Sequence, residues 1–459
     1  MPNTYKTVNP ATEETLDTFK LMSQEEAEKI IEKSHKAFLT WRNKPLEQRG
    51  EVLRKVASLI RERKEDYAAL MTREMGKTLE EGRQECDLCA AICDYTAKRG
   101  PEELADENRD LSGGRALVTY QPMGVIYGIQ PWNFPLYQVI RYSAANLMAG
   151  NTVLLKHAAN VWGMAMAIET LYRDAGLPEH GFRTLLIDHD VSDAVIDHKL
   201  VRGVTLTGSP TAGRKVAQQA GKALKKTVLE LGSNDAYLVL ADADIDKAVK
   251  FGVQGRVNNA GQTCVAAKRF IVEDAVYDKF RDAYVEAMQQ LKLGDPTREG
   301  TDMGPMARKD LRDDLHEQVR QSIDSGAKCL LGGEVPEGTG YFYPPTVLEN
   351  VSPGQQAYDE ELFGPVASLI RVKDRAEAIR VANDSPYGLG GGIFSEDEAK
   401  AVELARTEFD TGMVNINGYF LAQPNLPFGG VKNSGYGREH GGFGMHEFVN
   451  TKTVMITGA

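Results

Sequence analysis

The chain has 459 residues, of which 42% are hydrophobic and 26% are charged, the composition of an ordinary globular protein. This length predicts two or three domains. The net charge of −11, spread without a basic stripe, argues against nucleic acid or an anionic membrane as a partner. No apolar run reaches the roughly 18 residues of a membrane span, no signal peptide is recognisable, and the five cysteines are typical of a reducing compartment. We therefore expect a cytoplasmic protein.

The first hundred residues are predicted to be mainly helical. Ser23 and Glu26 have the spacing of a capping box, in which each side chain bonds the other residue's backbone amide at a helix start. Apolar residues then recur at helical spacing up to about residue 75, and again over roughly 80 to 97.

Three cysteines, Cys86, Cys89 and Cys93, lie in the last of these helices. Their spacing places them on one helix face, among alanine, leucine and isoleucine. A metal or cluster site usually needs a fourth cysteine, which is missing here. We interpret the three thiols as a buried stripe and predict no metal site.

The pattern then changes to alternating strands and helices, which is typical of parallel sheets with crossover helices. The first set contains the strand-like "ALVTYQPMGVIYGIQ", a helix ending at Gly150, the strand "NTVLLKH", a helix over about 161 to 175, the strand "VTLTG" and a helix from about 212. A second set follows residue 232, with "AYLVL", a helix over about 243 to 259, "RFIVED", a helix over about 276 to 292 and "GPVASLIRV". The tail "FVNTKTVMITGA" is predicted to be a final strand.

One cysteine stands apart from the others, Cys264 in "NNAGQTCVAAKRF". Gly261 provides backbone freedom before it, and Ala266 and Ala267 leave space beside it. A nucleophilic cysteine needs access, a base or a lowered pKa, and donors for the oxyanion it creates. The local sequence leaves two interpretations open, a nucleophile and a buried structural thiol.

Three further stretches could supply partners for such a cysteine. Glu230 in "TVLELGSND" ends an apolar strand, either as a general base or as a salt-bridged interior carboxylate. Asn133 in "PWNFP" could donate to an oxyanion or satisfy the backbone of a turn. The stretch "TGSPTAG" joins a strand to a helix start, where phosphate binds well, but it lacks the G-x-G-x-x-G fingerprint.

Seven motifs, in order between residues 131 and 439, together resemble the aldehyde dehydrogenase superfamily. They are "PWNFP", "LLK", "TGSPTAG", "LELGSNDA", "GQTCVAAKR", "EELFGPV" and "PFGGVKNSGYGRE", and "GQTCVAAKRF" is most similar to the succinate-semialdehyde dehydrogenase branch. The resemblance implies an α/β fold of two parallel-sheet domains and a small β oligomerisation arm, assembled as a homodimer or homotetramer. It implies an NAD(P)-binding domain over 1–107 and 124–232, a catalytic domain over 233–433, and an arm over 108–123 and 434–459.

The resemblance also implies a role for each matching residue. Cys264 would be the nucleophile, Glu230 the base that activates the hydrolytic water, and Asn133 the side-chain donor to the oxyanion. Together they would oxidise an aldehyde to a carboxylic acid. The positions implied to bind the cofactor are Trp132, Lys156, Ala159, Gly208, Ser209, Leu231, Glu361 and Phe363.

Two positions bear on specificity. Family members strict for NAD usually carry a glutamate where this chain has Ala159; without its carboxylate, which would repel a 2′-phosphate, we expect use of both NAD and NADP. Arg141 matches an arginine that holds the substrate carboxylate in succinate-semialdehyde dehydrogenases, although it could instead be a surface or helix-pairing arginine. A second arginine common in that branch is replaced here by Asn258.

The expected substrate is therefore succinate semialdehyde. The alternatives are glutarate semialdehyde, a broad range of aliphatic or aromatic aldehydes, and, more remotely, a non-catalytic structural or binding relative.

Overall fold

A computed structural model describes residues 4–458; residues 1–3 and 459, the ends of two predicted segments, lie outside the described residues. The strands, in chain order, are β1 (Thr4–Val8), β2 (Thr15–Lys20), β3 (Glu107–Leu111), β4 (Gly114–Pro122), β5 (Val125–Gln130), β6 (Thr152–His157), β7 (Phe182–Thr184), β8 (Val201–Thr207), β9 (Lys226–Glu230), β10 (Ala236–Val239), β11 (Arg269–Glu273), β12 (Lys328–Leu331), β13 (Thr346–Glu349), β14 (Val366–Val372), β15 (Tyr387–Gly388), β16 (Gly391–Phe394), β17 (Asn415–Ile416), β18 (Val431–Lys432), β19 (Gly435–Tyr436) and β20 (Val449–Thr457).

The helices form the layers around these strands. In chain order they are α1 (Gln24–Trp41), α2 (Leu46–Glu62), α3 (Lys64–Met75), α4 (Leu79–Glu103), α5 (Tyr137–Ala149), α6 (Trp162–Asp174), α7 (His189–Asp197), α8 (Pro210–Lys222), α9 (Ile245–Val257), α10 (Asp274–Gln289), α11 (Lys309–Asp324), α12 (Gln356–Asp359), α13 (Arg375–Asn383), α14 (Glu398–Thr407) and α15 (Phe443–Glu447). Short 3-10 turns cover Ala159–Val161 and Asn258–Gly261.

The first large sheet has the strand order β19-β9-β8-β5-β6-β7, and β5 to β9 run parallel to one another. Its central strands are apolar on both faces because helices cover both sides. Gly150 ends α5 in the left-handed conformation, with φ of 98°, as the sequence predicted. The predicted strand–helix alternation of this segment is confirmed.

The second large sheet has the order β12-β13-β14-β11-β10-β16-β17, parallel except for the β12–β13 pair. The strands predicted from "AYLVL", "RFIVED" and "GPVASLIRV" are β10, β11 and β14, which lie side by side in its centre. The chain passes from the first sheet to the second over residues 231–235, close to the predicted domain boundary after residue 232.

A smaller antiparallel sheet has the order β20-β4-β3. β20 pairs with β4 along its whole length, from Val449 opposite Pro122 to Thr457 opposite Gly114. The segment predicted as arm from residue 434 joins this sheet only through β20, because β19 pairs with β9 of the first sheet instead. The hairpin of β1 and β2 was not predicted by the sequence analysis.

The N-terminal helices behave as predicted. Ser23 and Glu26 form the capping box of α1, with the Ser23 side chain accepting from the Glu26 amide. Cys86, Cys89 and Cys93 are buried in α4, within one hydrophobic cluster. None of the helices over residues 4–458 combines the length and hydrophobicity that a bilayer span requires.

Candidate active site

The carboxyl ends of the first sheet bring most of the predicted residues to one edge. Lys156 lies opposite Ile129 near the ends of β6 and β5, and Glu230 lies opposite Thr207 at the ends of β9 and β8. The segment with Trp132 and Asn133 follows β5, and the Gly208–Ser209 turn follows β8. Ligands of parallel α/β sheets bind at this edge, because the loops there converge.

Cys264 lies in the loop between the turn at Asn258–Gly261 and β11, and it is partly exposed. Burial of the thiol raises its pKa to about 11, an effect opposed by the cationic side chains of Arg141 and Lys268. The Lys268 Nζ also donates a hydrogen bond of 2.6 Å to the Cys264 carbonyl oxygen. The resting thiol is therefore protonated at neutral pH, with two cations placed to stabilise its thiolate.

Asn133 is buried beside the cysteine loop. Its Nδ2 donates to the carbonyl oxygen of Gln262, two residues before Cys264, over 3.1 Å. The Nδ2 of Asn259 donates in return to the carbonyl oxygen of Asn133 over 2.8 Å. These two bonds join the loop after β5 to the loop that carries the thiol, so the Asn133 amide is held against the segment just before Cys264.

Glu230 is the last residue of β9 and is buried, with neither carboxylate oxygen hydrogen-bonded within residues 4–458. Burial raises its pKa well above the usual carboxyl value; the Arg141 guanidinium opposes this rise and the Glu439 carboxylate adds to it. A Cβ at Gly429, where φ is 151°, would lie 2.8 Å from Glu230 Oε1, so a glycine is needed there. An unpartnered carboxyl with a raised pKa is suited to take a proton near neutral pH.

The residues that were predicted to hold the nicotinamide of the cofactor contact one another and their neighbours. The rings of Trp132 and Phe363 meet edge to face, with centroids 5.9 Å apart. Glu361 Oε1 is 2.9 Å from Lys268 Nζ. A Cβ at Gly232 would lie 2.6 Å from Glu361 Oε2, so this carboxylate packs directly on the backbone that follows Leu231. The structure thus brings these residues together beside Cys264.

The turn after β8 has the shape of a phosphate site. A Cβ added at Gly208 would meet no heavy atom nearer than the Ala212 Cβ at 4.0 Å. Ser209 is the N-cap of α8, where its Oγ accepts from the Ala212 amide over 3.2 Å. Open space at a helix N-terminus fits the pyrophosphate of a dinucleotide.

Lys156 and Ala159, which were predicted to lie near the ribose of the cofactor, are at the end of β6 and just after it. Lys156 is largely buried, which lowers its pKa, and Asp188 partly opposes this effect. Ala159 begins the short turn that follows β6. The pair therefore presents one ammonium group and no carboxylate.

Of the alternatives that the sequence left open for Arg141, the structure excludes only a position on the surface. It is fully buried rather than on the surface, and it forms an ion pair with Glu439. Its Nη2 donates to Thr207 Oγ1 over 2.8 Å, and the guanidinium lies over the rings of Tyr137 and Phe428. Its charge is thus already balanced, and a substrate carboxylate would have to share it with Glu439.

Two charged residues of this site, Glu439 and Lys268, were not predicted from the sequence. Both lie inside motifs quoted above, Glu439 as the last residue of "PFGGVKNSGYGRE" and Lys268 in "GQTCVAAKR", four residues after Cys264. The local signal was weak, because Glu439 lies between Arg438 and His440, and Arg269 follows Lys268. Their pairing with Arg141 and Glu361 depends on distant parts of the chain, which no local pattern specifies.

A cavity of about 260 Å³ opens beside the cysteine, and part of its wall also packs around Cys264. Its lining is mainly apolar, and within the described residues its one charged member is Asp235. The apolar members nearest the cysteine are Val265, Met413, Leu421, Ala422 and Phe428.

Comparison with known proteins identifies the family. The model of the aldehyde dehydrogenase family matches residues 1–454. The chain belongs to the aldehyde dehydrogenase family. This aldehyde dehydrogenase is 44% identical to a succinate semialdehyde dehydrogenase [NAD(P)+] of Escherichia coli (strain K12) over 447 residues, which cover 97% of this chain and 96% of that relative.

Two further matches extend this similarity. The aldehyde dehydrogenase is 45% identical over 450 residues to a succinate-semialdehyde dehydrogenase [NADP(+)] of Deinococcus radiodurans, covering 98% of this chain and 94% of the relative. A crystal structure of succinic semialdehyde dehydrogenase from Streptococcus pyogenes with NADP+ superposes with a TM-score of 0.96 at 40% identity, covering 99% of this chain and all of the other. The fold described above is therefore the aldehyde dehydrogenase fold.

Proposed function

We propose that this aldehyde dehydrogenase oxidises succinate semialdehyde to succinate, with either NADP+ or NAD+. The observation that carries the chemistry is the grouping of an amide donor, a thiol and an unpartnered buried carboxyl in Asn133, Cys264 and Glu230. The substrate is supported by relatives at 44% and 45% identity over nearly the whole chain, which are named for succinate semialdehyde.

In the first half of the reaction, the Cys264 thiolate attacks the aldehyde carbon to form a thiohemiacetal. Its oxyanion is stabilised by Asn133 Nδ2 together with the backbone N–H of Cys264. Each well-placed donor of this kind contributes about 3–4 kcal/mol to the transition state. The flanking cations Arg141 and Lys268 favour the thiolate over the thiol that burial imposes.

When bound, NAD(P)+ would supply the hydride acceptor for oxidation of the thiohemiacetal to a thioester on Cys264. Trp132, Phe363 and Glu361 would hold its nicotinamide end, and the turn at Gly208 its phosphates. Glu230 then takes a proton from water, and the resulting hydroxide attacks the thioester. The carboxylic acid leaves and the thiol is restored.

We infer that both cofactors are used. Ala159 offers no carboxylate to repel a 2′-phosphate or to accept from a 2′-hydroxyl, and Lys156 supplies a cation on the same side. The E. coli relative is named for NAD(P)+ and the D. radiodurans relative for NADP+, which is consistent with this inference.

The substrate carboxylate is proposed to bind Arg141. Within residues 4–458 its Nη1 is buried and has no hydrogen-bond partner, so it is the donor that remains for a carboxylate while Nη2 stays on Thr207. A second candidate substrate class is apolar aldehydes, aliphatic or aromatic, and the observation that favours it is the apolar wall of the cavity beside Cys264. Glutarate semialdehyde, one methylene longer, would use the same carboxylate anchor.

We also propose that the chain is a homodimer or homotetramer assembled through the arm formed by residues 108–123 and 434–459. The edge strand β20 supports this proposal, because most of its residues are exposed, including Val454 and Met455. The two large sheets would be the NAD(P)-binding and catalytic domains. The five free cysteines are consistent with a reducing, cytoplasmic setting.

The test is a panel of aldehydes assayed by absorbance of the reduced nicotinamide with NAD+ and with NADP+. We expect the highest kcat/KM for succinate semialdehyde, measurable rates with both cofactors, and no rate in the Cys264→Ala variant. A higher kcat/KM for hexanal or benzaldehyde would favour the apolar candidate. A preference for NAD+ above roughly a thousandfold, about 4 kcal/mol, would contradict dual cofactor use.

A further inference from the structure

Helix α4 begins directly behind the two loops that carry Asn133 and Cys264. It presents two glutamates one turn apart toward those loops, Glu81 and Glu85, with Lys77 just before the helix. We propose that Glu81 and Glu85 are positioning residues that set the Asn133 amide against Cys264. This inference rests on the proposed function, because it assumes that Asn133 stabilises the oxyanion.

Glu85 fixes the chain that follows Asn133. Its side chain is fully buried, and Oε1 accepts hydrogen bonds from the amides of Leu136 over 2.8 Å and Tyr137 over 2.9 Å. These amides belong to the first turn of α5, which has no side-chain cap of its own. A carboxylate from another helix therefore caps α5 and fixes the position where the Asn133 loop ends.

Lys77 completes the support on the same side. Its Nζ forms a fully buried ion pair with Glu85 Oε2 and lies 4.1 Å from the centroid of the Phe134 ring, one residue after Asn133. Replacing a buried ion pair by apolar residues is often neutral or stabilising. Stability alone is thus a weak reason for this pair, whereas its contact with the Phe134 ring gives it a role in fixing the loop after Asn133.

Glu81 fixes the cysteine loop. Its Oε2 accepts from the amide and hydroxyl of Thr78, which caps α4, and its Oε1 accepts from the backbone amide of Asn259 over 2.6 Å. The Asn259 side chain then bonds the carbonyl oxygen of Asn133. The spacing of four residues puts Glu81 and Glu85 on one face of α4, so a single rigid helix holds both halves of the site.

The cysteine loop needs such support because of its backbone conformation. Asn259 and Ala260 have φ values of 59° and 53°, and Gly261 follows with 73°. A non-glycine residue in the left-handed region costs roughly 1–2 kcal/mol, and asparagine is the more tolerant of the two. The bond from Asn259 to Glu81 lies at the first of these three left-handed residues, where it can hold the conformation against relaxation.

The experiment separates oxyanion stabilisation from thiol reactivity in the full-length enzyme. Acylation of Cys264 by p-nitrophenyl acetate passes through a tetrahedral oxyanion, whereas alkylation by iodoacetamide displaces iodide at a saturated carbon and forms none. Both rates are measured in Glu85→Gln and Glu81→Gln. Glutamine has only one acceptor oxygen and cannot satisfy both sets of partners. Glu80→Gln, at an exposed position of the same helix, is the matched control.

We expect Glu85→Gln to slow acylation by ten- to a hundredfold while alkylation stays within twofold, with a smaller selective loss in Glu81→Gln and none in Glu80→Gln. Equal loss of both rates, or no loss in a folded Glu85→Gln, would overturn the proposal. If Glu85→Gln does not fold, the partly exposed Glu81 still provides the test.

Asn133→Ala tells the two possible failures apart. If its ratio of acylation to alkylation is that of the wild type, the oxyanion role in the proposed function is wrong. If Asn133→Ala shows the selective loss and the Glu81 and Glu85 variants do not, only the positioning role is wrong.

Discussion

For Arg141, a role in binding the substrate is hard to separate from a role in the structure. Removing its guanidinium would leave the Glu439 carboxylate buried without its cation, and would break the bond to Thr207. Losing one partner of a buried pair typically costs about 3–5 kcal/mol of stability. Arg141→Met alone would therefore lower both stability and activity, whichever role the arginine has.

A double variant, Arg141→Met with Glu439→Leu, resolves this ambiguity. It removes both charges, so no carboxylate is left uncompensated, and we expect most of the lost stability to return. The two charges also act in opposite directions on the pKa of Glu230, so their joint removal leaves that base less disturbed than either single change. Any remaining substrate defect then reports on the guanidinium itself.

The assay compares succinate semialdehyde with propanal, which lacks the carboxylate, and uses thermal unfolding to follow stability. A charged hydrogen bond to the substrate contributes about 1.5–3 kcal/mol, so the double variant should raise KM for succinate semialdehyde roughly 10- to 150-fold. The KM for propanal should change less than threefold. An equal loss on both aldehydes would refute a carboxylate-binding role and leave Arg141 as a structural partner of Glu439.

Three further predictions follow from the same site. Glu230→Gln should release one equivalent of reduced cofactor in a burst and then turn over about 10²- to 10⁴-fold more slowly, because the thioester lacks its base; a linear time course at the wild-type rate would contradict this. Because burial raises the pKa of Cys264 to about 11, only its rare thiolate reacts at neutral pH, so alkylation of the resting enzyme by iodoacetamide should rise about tenfold per pH unit between pH 7 and 10; a plateau below pH 9 would be inconsistent with that pKa. Ala159→Glu should lower kcat/KM for NADP+ at least tenfold, about 1.4 kcal/mol, and leave NAD+ unharmed; an equal effect on both cofactors would disprove the proposed contact with the 2′-position.

Much of the fold could be predicted from the sequence because its elements are locally encoded. The strand predicted from "NTVLLKH" and the helix end at Gly150 rest on apolar patterning and one left-handed glycine, and both are observed. Short strands such as β17 and β18 carry too few residues for a pattern, and they exist because neighbouring strands offer free edges. The pairing of β19 with β9 is likewise a tertiary event that no local signal predicts.

Some residues of the candidate site could likewise be predicted from the sequence, and others could not. The motifs around Asn133, Glu230 and Cys264 could be found because each places an unusual residue in a distinctive local setting. The environment of Arg141 could not, because its partner Glu439 lies 298 positions along the chain and meets it only after both sheets have formed. Residues paired by tertiary contact remain ambiguous in sequence, since a charged side chain looks the same whether its partner is a substrate or another residue.

Burial changes the pKa of both reacting groups, the Cys264 thiol and the Glu230 carboxyl, in the same direction. It raises the pKa of Cys264 and of Glu230, because desolvation disfavours the charged form of each group. The charges that can shift this balance are already present in Arg141 and Lys268, but each is held by a carboxylate, Glu439 and Glu361 respectively. Glu361 is also the residue proposed to hold the nicotinamide ribose. A ligand that draws Glu361 away from Lys268 would leave the positive charge of the Lys268 ammonium group less balanced. That change would favour the Cys264 thiolate.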